Sequence, residues 1–218
     1  MKYQAVIFDV DGTLLDTTEG VLAAVSYTIE KHHLKELPLS TLKKFIGPPI
    51  QYSFAKFYGI SKESALVLAE TFRQQYKSQD LLKAEPYRGI FKLLQELKAQ
   101  GTALGVATYK RQDYALKLLE YFGFPPYMTA IYGSDMEGAL SKRDLLMKCQ
   151  KDLFTSLNTN YAYSVMIGDS DNDALAAKDI PMDFIGVTYG FGFETALDVN
   201  RYPNIGCAHS VHEIKKFL

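Results

Sequence analysis

The sequence contains no tryptophan, only two cysteines and no excess of charge of either sign. Cys149 and Cys207 lie far apart and lack a Cys-X-X-Cys spacing, so neither a disulfide bond nor a zinc site is expected. The 24 lysines and arginines nearly balance the 25 aspartates and glutamates, which leaves a formal charge of −1. No global electrostatic field therefore draws the chain to nucleic acid or to an anionic membrane.

Long hydrophobic runs are absent as well. No segment approaches the length of a membrane span, and no charged region precedes an apolar stretch near the first residue. We therefore expect a cytoplasmic protein, a monomer or homodimer, with neither nucleic acid nor membrane as a partner. A chain of 218 residues can bury one sizeable core, with room for a smaller inserted domain.

The sequence does contain an apolar run that ends in two closely spaced carboxylates. Residues 6–8 lead directly into Asp9 and Asp11, and Gly12 follows. This pattern predicts a buried strand that ends in a sharp polar loop. Side chains alternate along a strand, so Asp9 and Asp11 share one side, while Gly12 allows the backbone to curl around a small anion. The alternative is a turn whose aspartates only cap the next helix.

Two carboxylates in one crevice repel each other, which predicts either a compensating cation or one raised pKa. Magnesium is favoured because it binds through one or two carboxylates and accepts phosphate oxygens as further ligands. We therefore predict magnesium-assisted phosphoryl chemistry. Asp9 is the expected nucleophile, and Asp11 is the expected proton donor and acceptor.

The periodicity of the chain separates a helical region from an alternating one. Between residues 18 and 84 the apolar spacing is helical, which predicts an all-helical insert, because a single crossover needs far fewer residues. From residue 88 helices alternate with short apolar strands, which predicts an α/β fold with a doubly wound parallel sheet. The expected domains are a core of residues 1–16 and 86–218 and a helical cap of residues 17–85.

Further polar residues follow two of these strands and should meet the first set at the carboxyl edge of the sheet. Thr108 ends an expected strand over residues 103–107, and its hydroxyl and the next backbone N–H can hold a phosphate oxygen. Asp169 follows a strand over 163–167 and is expected to share the metal with Asp9. Asp173, just before a helix expected from Ala174, can hold a metal-bound water or orient a lysine.

These motifs resemble those of the haloacid dehalogenase-like hydrolase superfamily, in particular its phosphoglycolate phosphatase-like members with a helical cap. Residues 9–16 resemble the first motif of the family, and residues 168–173 resemble the fourth. The resemblance implies a Rossmann-like core, attack by Asp9 on phosphorus and a short-lived aspartyl phosphate. The expected metal site contains Mg²⁺ and the carboxylates of Asp9, Asp11, Asp169 and Asp173.

Four carboxylates and a phosphate dianion are too negative for one magnesium ion to balance, so a further cation is required. Lys142 resembles the lysine of the third motif, which implies that it neutralises the nucleophile and a phosphoryl oxygen. The family often places proline after that lysine, whereas Arg143 follows here. Lys110 and Arg143 therefore remain rivals for this role.

The second motif also departs from the family pattern. Tyr109 stands where related phosphatases carry a small residue between the threonine and the lysine. Its backbone N–H is expected to bind phosphate together with Gly12, Thr108 and Lys142, and its ring to shape the pocket for the leaving group.

Two stretches resemble parts of the family that surround the substrate. Residues 45–49 resemble the segment of helical-cap phosphatases that reads the leaving group, so Gly47 and Pro48, together with Thr17, are the predicted substrate contacts. The alternative for this segment is a helix breaker. Residues 189–192 resemble a glycine-rich loop at the same mouth, with a flexible turn as the alternative.

The predicted function is that of a magnesium-dependent phosphoric monoester hydrolase that acts on a small, phosphoglycolate-like phosphomonoester. A pyrophosphatase, a nucleotidase or a sugar-phosphate mutase remains an alternative, because these motifs handle the phosphoryl group and ignore the leaving group. A signalling receiver domain or a binding protein, which would accept phosphate without turnover, is the alternative from a different class.

Overall fold

A computed structural model describes residues 2–135 and 139–218. The chain divides into two compact units, Met1–Asp16 with Pro86–Leu218 and Thr17–Glu85. We call the first the core unit and the second the helical unit. No helix in the described ranges is long and apolar enough to cross a membrane.

The chain contains both strands and helices, with most strands in the core unit. The strands are β1 (Ala5–Phe8), β2 (Leu15–Asp16), β3 (Glu85–Pro86), β4 (Ala103–Arg111), β5 (Ala130–Ser134), β6 (Ser164–Gly168), β7 (Asp183–Val187) and β8 (Gly206–Ala208). The α-helices are α1 (Thr18–Lys31), α2 (Leu39–Leu42), α3 (Ile50–Tyr58), α4 (Lys62–Gln75), α5 (Ile90–Ala99), α6 (Gln112–Tyr121), α7 (Lys142–Ser156), α8 (Asp171–Lys178), α9 (Ala196–Val199) and α10 (Val211–Ile214).

The core unit is built on a six-stranded parallel sheet with the order β5-β4-β1-β6-β7-β8. The chain passes from β1 to β4 and β5 on one side, and then returns to β6 on the other side of β1. This reversal is the topological switch point, where open α/β sheets bind their ligands. The predicted doubly wound parallel sheet is therefore confirmed.

Strand β1 is buried on both faces, which explains why its sequence is a continuous apolar run. Ala5 and Ile7 belong to a core cluster with side chains of α7, among them Leu145 and Cys149. The alternate side chains of β1 point to the opposite face and are equally buried. The strand that carries the first motif is thus fixed by packing from both sides.

Several predicted element boundaries were wrong by a few residues. The strand expected over 103–107 continues to Arg111, so that Thr108 lies inside β4, and the pairing with β5 shifts in register between Thr108 and Arg111. The helix expected from Ala174 begins at Asp171, because Ser170 and Asp173 form a capping box there.

The helical unit consists of four α-helices with short helical turns between residues 18 and 80. Phe45, in a 3₁₀ turn, contacts the ring of Phe54 in α3 edge-on, with centroids 5.1 Å apart. Gly59 has φ +62° and ends α3, and the Ser61 hydroxyl accepts a hydrogen bond from the Ser64 N–H at the start of α4. These two caps fix where α3 ends and where α4 begins.

We expect Gly105→Ala to destabilise the protein by about 1–3 kcal/mol, because a methyl group has no room between β4 and α7. A Cβ at Gly105 would overlap the sulfur of Cys149 and lie 3.3 Å from a methyl of Leu153. Urea denaturation monitored by circular dichroism measures the loss of stability. In the double variant with Cys149→Ala the loss should be smaller than the sum of the single losses, since the colliding atom is gone. A Gly105→Ala variant as stable as the parent would contradict this packing.

Candidate active site

The register of the sheet brings three strand ends to one edge. Phe8 of β1 lies opposite Val106 of β4 and Ile167 of β6. Because the strands are parallel, the residues that follow this row lie towards the same edge of the sheet. The predicted residues Asp9, Thr108 and Asp169 all lie within two positions of it, and the N–H of Asp9 donates to the carbonyl of Ile167 at 3.0 Å.

Three carboxylates meet at this edge. Oxygens of Asp9, Asp169 and Asp173 all lie within 4.8 Å of one another, and all three side chains are buried. Among the described residues this is the group whose carboxylates are close enough to hold one metal ion. Asp11 is also buried but is not part of this group, so its predicted role as a metal ligand stays a prediction.

Lys142 places a cation between two of these carboxylates. Its ammonium lies 2.8 Å from Asp9 Oδ1 and 2.7 Å from Asp173 Oδ1, and its side chain is 4% exposed. Burial opposes the charged ammonium, but the carboxylates of Asp173 and Asp9 outweigh it and raise the pKa of Lys142 above its usual value. The lysine therefore stays charged next to Asp9.

The start of α7 fixes the position of this lysine. The hydroxyl of Ser141 accepts a hydrogen bond from the N–H of Asp144, and the Asp144 carboxylate accepts one from the N–H of Ser141. This capping box makes Lys142 the first residue of the helix. The rival Arg143, on the next position, is exposed.

The other rival, Lys110, is also at the site but contacts a different acid. Its ammonium lies 3.1 Å from Asp11 Oδ1, and both side chains are buried. The backbone N–H of Lys110 donates to the Thr108 hydroxyl at 3.2 Å, which orders the end of β4. The site thus contains two buried lysines, one at Asp9 and one at Asp11.

Asp169 is held by the glycine-rich segment that follows β7. Its Oδ2 accepts hydrogen bonds from the N–H groups of Phe191 at 2.6 Å and Gly192 at 3.1 Å. Burial, and next the charges of Asp173 and Asp9, raise the pKa of Asp169 well above its usual value. Without a metal ion, the folded protein therefore disfavours the ionised form of Asp169.

Asp173 already uses both of its oxygens. Oδ1 pairs with Lys142, and Oδ2 accepts hydrogen bonds from the N–H and the hydroxyl of Ser170 at 3.2 and 2.7 Å. Burial raises the pKa of Asp173 although Lys142 opposes the shift. The contact with Lys142 fits the predicted role of orienting a lysine, and the predicted role of Asp173 as a metal ligand stays a prediction.

Position 12 requires a glycine because the carboxylate of Asp169 lies too close to leave room for a side chain. The φ of Gly12 is +80°, and a Cβ there would overlap Oδ2 of Asp169. The N–H of Gly12 donates to the carbonyl of Leu15 at 2.9 Å. Phosphate binding by this amide, which the sequence predicts, would require that hydrogen bond to break and stays a prediction.

The remaining predicted site residues are divided between the core unit and the helical unit. Tyr109 is half-buried in β4, and its hydroxyl accepts a hydrogen bond from the N–H of Lys142 at 3.1 Å. Thr17, Gly47 and Pro48 belong to the helical unit, where Thr17 is fully buried and Gly47 has φ +98°. Their predicted contact with substrate stays a prediction.

Sequence reasoning missed a pair of tyrosines near the carboxylates. The rings of Tyr87 and Tyr189 meet edge-on with centroids 4.7 Å apart, and the Tyr189 hydroxyl donates to the carbonyl of Thr13 at 3.1 Å. Burial raises the pKa of both phenols above the ordinary value, so both remain protonated. Tyr189 belongs to the glycine-rich segment of residues 189–192, which was the available signal, whereas Tyr87 had none.

The comparisons with known proteins agree with this geometry. A family model described as haloacid dehalogenase-like hydrolase matches residues 6–187. A 5'-nucleotidase of Pseudomonas aeruginosa is 32% identical, with 95% of this chain and 92% of the relative covered. A phosphoglycolate phosphatase of Agrobacterium fabrum is 31% identical, with 85% and 80% covered.

A solved structure supports the same assignment. The crystal structure of a predicted phosphatase from Clostridium acetobutylicum is similar over 99% of this chain and 98% of its own, with 34% sequence identity and a TM-score of 0.87. Family membership sets aside the alternative of a signalling receiver domain. The chain belongs to the haloacid dehalogenase-like hydrolase family, and the prediction of an enzyme of the phosphoric monoester hydrolase class is confirmed.

Proposed function

We propose that this enzyme hydrolyses small phosphomonoesters by covalent transfer of the phosphoryl group to Asp9. The observation that carries the proposal is the ammonium of Lys142, 2.8 Å from Asp9 Oδ1 at the carboxyl edge of a parallel sheet. A buried cation there positions the carboxylate for attack and stabilises the charge that develops on a phosphoryl oxygen.

The residues at this edge fit a magnesium ion. The oxygens of Asp9, Asp169 and Asp173 lie within 4.8 Å of one another, and hard oxygen ligands suit Mg²⁺. We propose Asp9 and Asp169 as its direct ligands, with Asp173 positioning Lys142 and Asp11 beside them. When bound, the ion would neutralise charge on the carboxylates and on the phosphoryl oxygens.

The proposed reaction has two steps. In the first, an oxygen of Asp9 forms a bond to phosphorus while the bond to the leaving oxygen breaks, and Asp11 gives its proton to that oxygen. In the second, Asp11 takes a proton from a water molecule, which attacks phosphorus and releases inorganic phosphate and free Asp9. We assign to Lys142 and the Thr108 hydroxyl the stabilisation of the phosphoryl oxygens in both steps.

The substrate proposed is a phosphoglycolate-like phosphomonoester, read by Thr17, Gly47 and Pro48 of a helical cap. The 31% identical phosphoglycolate phosphatase supports this choice. A nucleoside 5'-monophosphate is the second candidate, because a 5'-nucleotidase is 32% identical over almost the whole chain. We also propose that the protein is cytoplasmic and that it is a monomer or a homodimer.

The first test is hydrolysis of p-nitrophenyl phosphate, phosphoglycolate and nucleoside 5'-monophosphates by the purified protein with magnesium. Asp9→Asn should lower turnover by at least about 10³-fold, because the amide is a poor nucleophile and no longer pairs with Lys142. Asp183→Asn is the matched control, since Asp183 lies at the opposite edge of the same sheet. Full activity of Asp9→Asn would remove the covalent mechanism.

A second test separates the two steps. Asp11→Asn should still accept the phosphoryl group from p-nitrophenyl phosphate, whose leaving group needs little protonation, but should be unable to activate water. We expect a burst of about one p-nitrophenolate per enzyme, followed by turnover slower by about 10²-fold or more. Stopped-flow absorbance measures both phases. Steady turnover at the wild-type rate would exclude Asp11 as the base.

A third test uses Asp169→Asn and the pH dependence of stability. Below about pH 3.9, the usual pKa of aspartate, the carboxyl group of Asp169 is protonated in both the folded and the unfolded state. Above it the unfolded chain ionises first, because burial and the neighbouring carboxylates raise the pKa of Asp169 in the folded state. The free energy of unfolding therefore falls as the pH rises towards the raised pKa.

Asp169→Asn should accordingly raise the Tm of the chelated protein, with a gain that grows as the pH rises above about 4. Magnesium should raise the Tm of the wild type and leave that of the variant unchanged, because the ligand is lost. Differential scanning calorimetry measures both effects. An equal magnesium-induced shift in the two proteins would remove Asp169 from the metal site.

A further inference from the structure

The first N–H group of an α-helix has no partner within the helix. At the start of α7 that group belongs to Lys142, and it donates to the hydroxyl of Tyr109 at 3.1 Å. The capping box between Ser141 and Asp144 satisfies other amides of the same turn. Tyr109 thus ties the backbone of the site lysine directly to β4.

The ring of Tyr109 also lies near the charged end of Lys142. The ammonium is 5.7 Å from the ring centroid, within the range in which a cation is attracted by an aromatic face. The same ammonium lies between Asp9 and Asp173. Tyr109 therefore interacts with Lys142 twice, through a hydrogen bond to the backbone N–H of the lysine and through its ring near the ammonium group.

From these contacts we infer that Tyr109 is a positioning residue, which acts on the reaction by holding Lys142 against Asp9. The inference rests on the proposed function for its effect on turnover. It differs from the role expected from the sequence, in which the ring shapes the pocket for the leaving group. A small residue in this position could make neither contact.

The position of the hydrogen bond explains why the effect should be catalytic and not a general loss of stability. Helix α7 is anchored to the sheet by the buried side chains of Leu145, Leu146, Cys149 and Leu153. Loss of the Tyr109 hydroxyl leaves these contacts intact and frees only the first turn. A shift there moves the stem of Lys142, and the reaction depends on where its ammonium sits.

A matched control exists on the neighbouring strand. The hydroxyl of Tyr132 in β5 donates to Asp152 of the same helix at 2.6 Å. Asp152 lies ten residues beyond Lys142, about 15 Å along the helix. Tyr132→Phe therefore removes a comparable bond between a strand and α7 without touching the site.

The experiment compares Tyr109→Phe with Tyr132→Phe in steady-state hydrolysis of p-nitrophenyl phosphate. We expect Tyr109→Phe to lower kcat about three- to tenfold, the effect of one hydrogen bond, with KM changed less than about twofold. Tyr132→Phe should retain wild-type kinetics. A raised KM with unchanged kcat for Tyr109→Phe would mean that the hydroxyl binds substrate, and equal losses in the two variants would mean a structural role only. Either result overturns the inference.

The crystal structure of Tyr109→Phe tests the same point without turnover. The ammonium of Lys142 should leave hydrogen-bonding distance of Asp9, and an unmoved ammonium would overturn the inference. If the wild type hydrolysed no phosphomonoester while the lysine moved as expected, the proposed function would fail and the positioning by Tyr109 would stand.

Discussion

The charge balance at the carboxyl edge of the sheet governs the rest of the structure. Carboxylate oxygens of Asp9, Asp169 and Asp173 lie within 4.8 Å of one another in a buried site. With an effective dielectric constant of about 20, two charges at that distance repel by about 3–4 kcal/mol. The ammonium of Lys142, at 2.7–2.8 Å from two of them, offsets much of this repulsion. The surplus of negative charge that remains is what makes the site suitable for a divalent cation.

The packing of the fold holds these charged side chains in fixed positions. Strand β1 is packed on both faces, and the aligned ends of β1 and β6 set the spacing of Asp9 and Asp169. The capping box at Ser141 fixes where α7 begins, and therefore where Lys142 stands. Tight packing around β1 and α7 thus determines where the charges of the site lie.

Much of this arrangement could be predicted from the sequence, because strand ends in a parallel sheet converge. The apolar runs that end at Asp9 and Asp169 were sufficient to predict the sheet and the meeting of these two acids. Lys142 lies on a helix more than 130 residues from Asp9, and only the resemblance to a family motif pointed to it. Local periodicity does not say which side chains meet over such separations.

The contacts that could not be predicted are those set by tertiary geometry alone. The ion pair between Lys110 and Asp11 depends on the irregular end of β4, which the sequence did not indicate. The amides of Phe191 and Gly192 reach Asp169 only because the segment after β7 folds back over β6. Every residue except proline carries a backbone N–H, so the side-chain types alone do not tell which of these groups reaches Asp169.

Covalent transfer of the phosphoryl group to Asp9 is the step on which the proposed mechanism depends most directly. The reaction with p-nitrophenyl phosphate is quenched with acid during turnover and treated with borohydride, which reduces a phosphorylated aspartate to homoserine. Peptide mass spectrometry then locates the homoserine. We expect homoserine in place of Asp9, and only when substrate is present. Reduction at another residue, or none while turnover proceeds, would contradict the account.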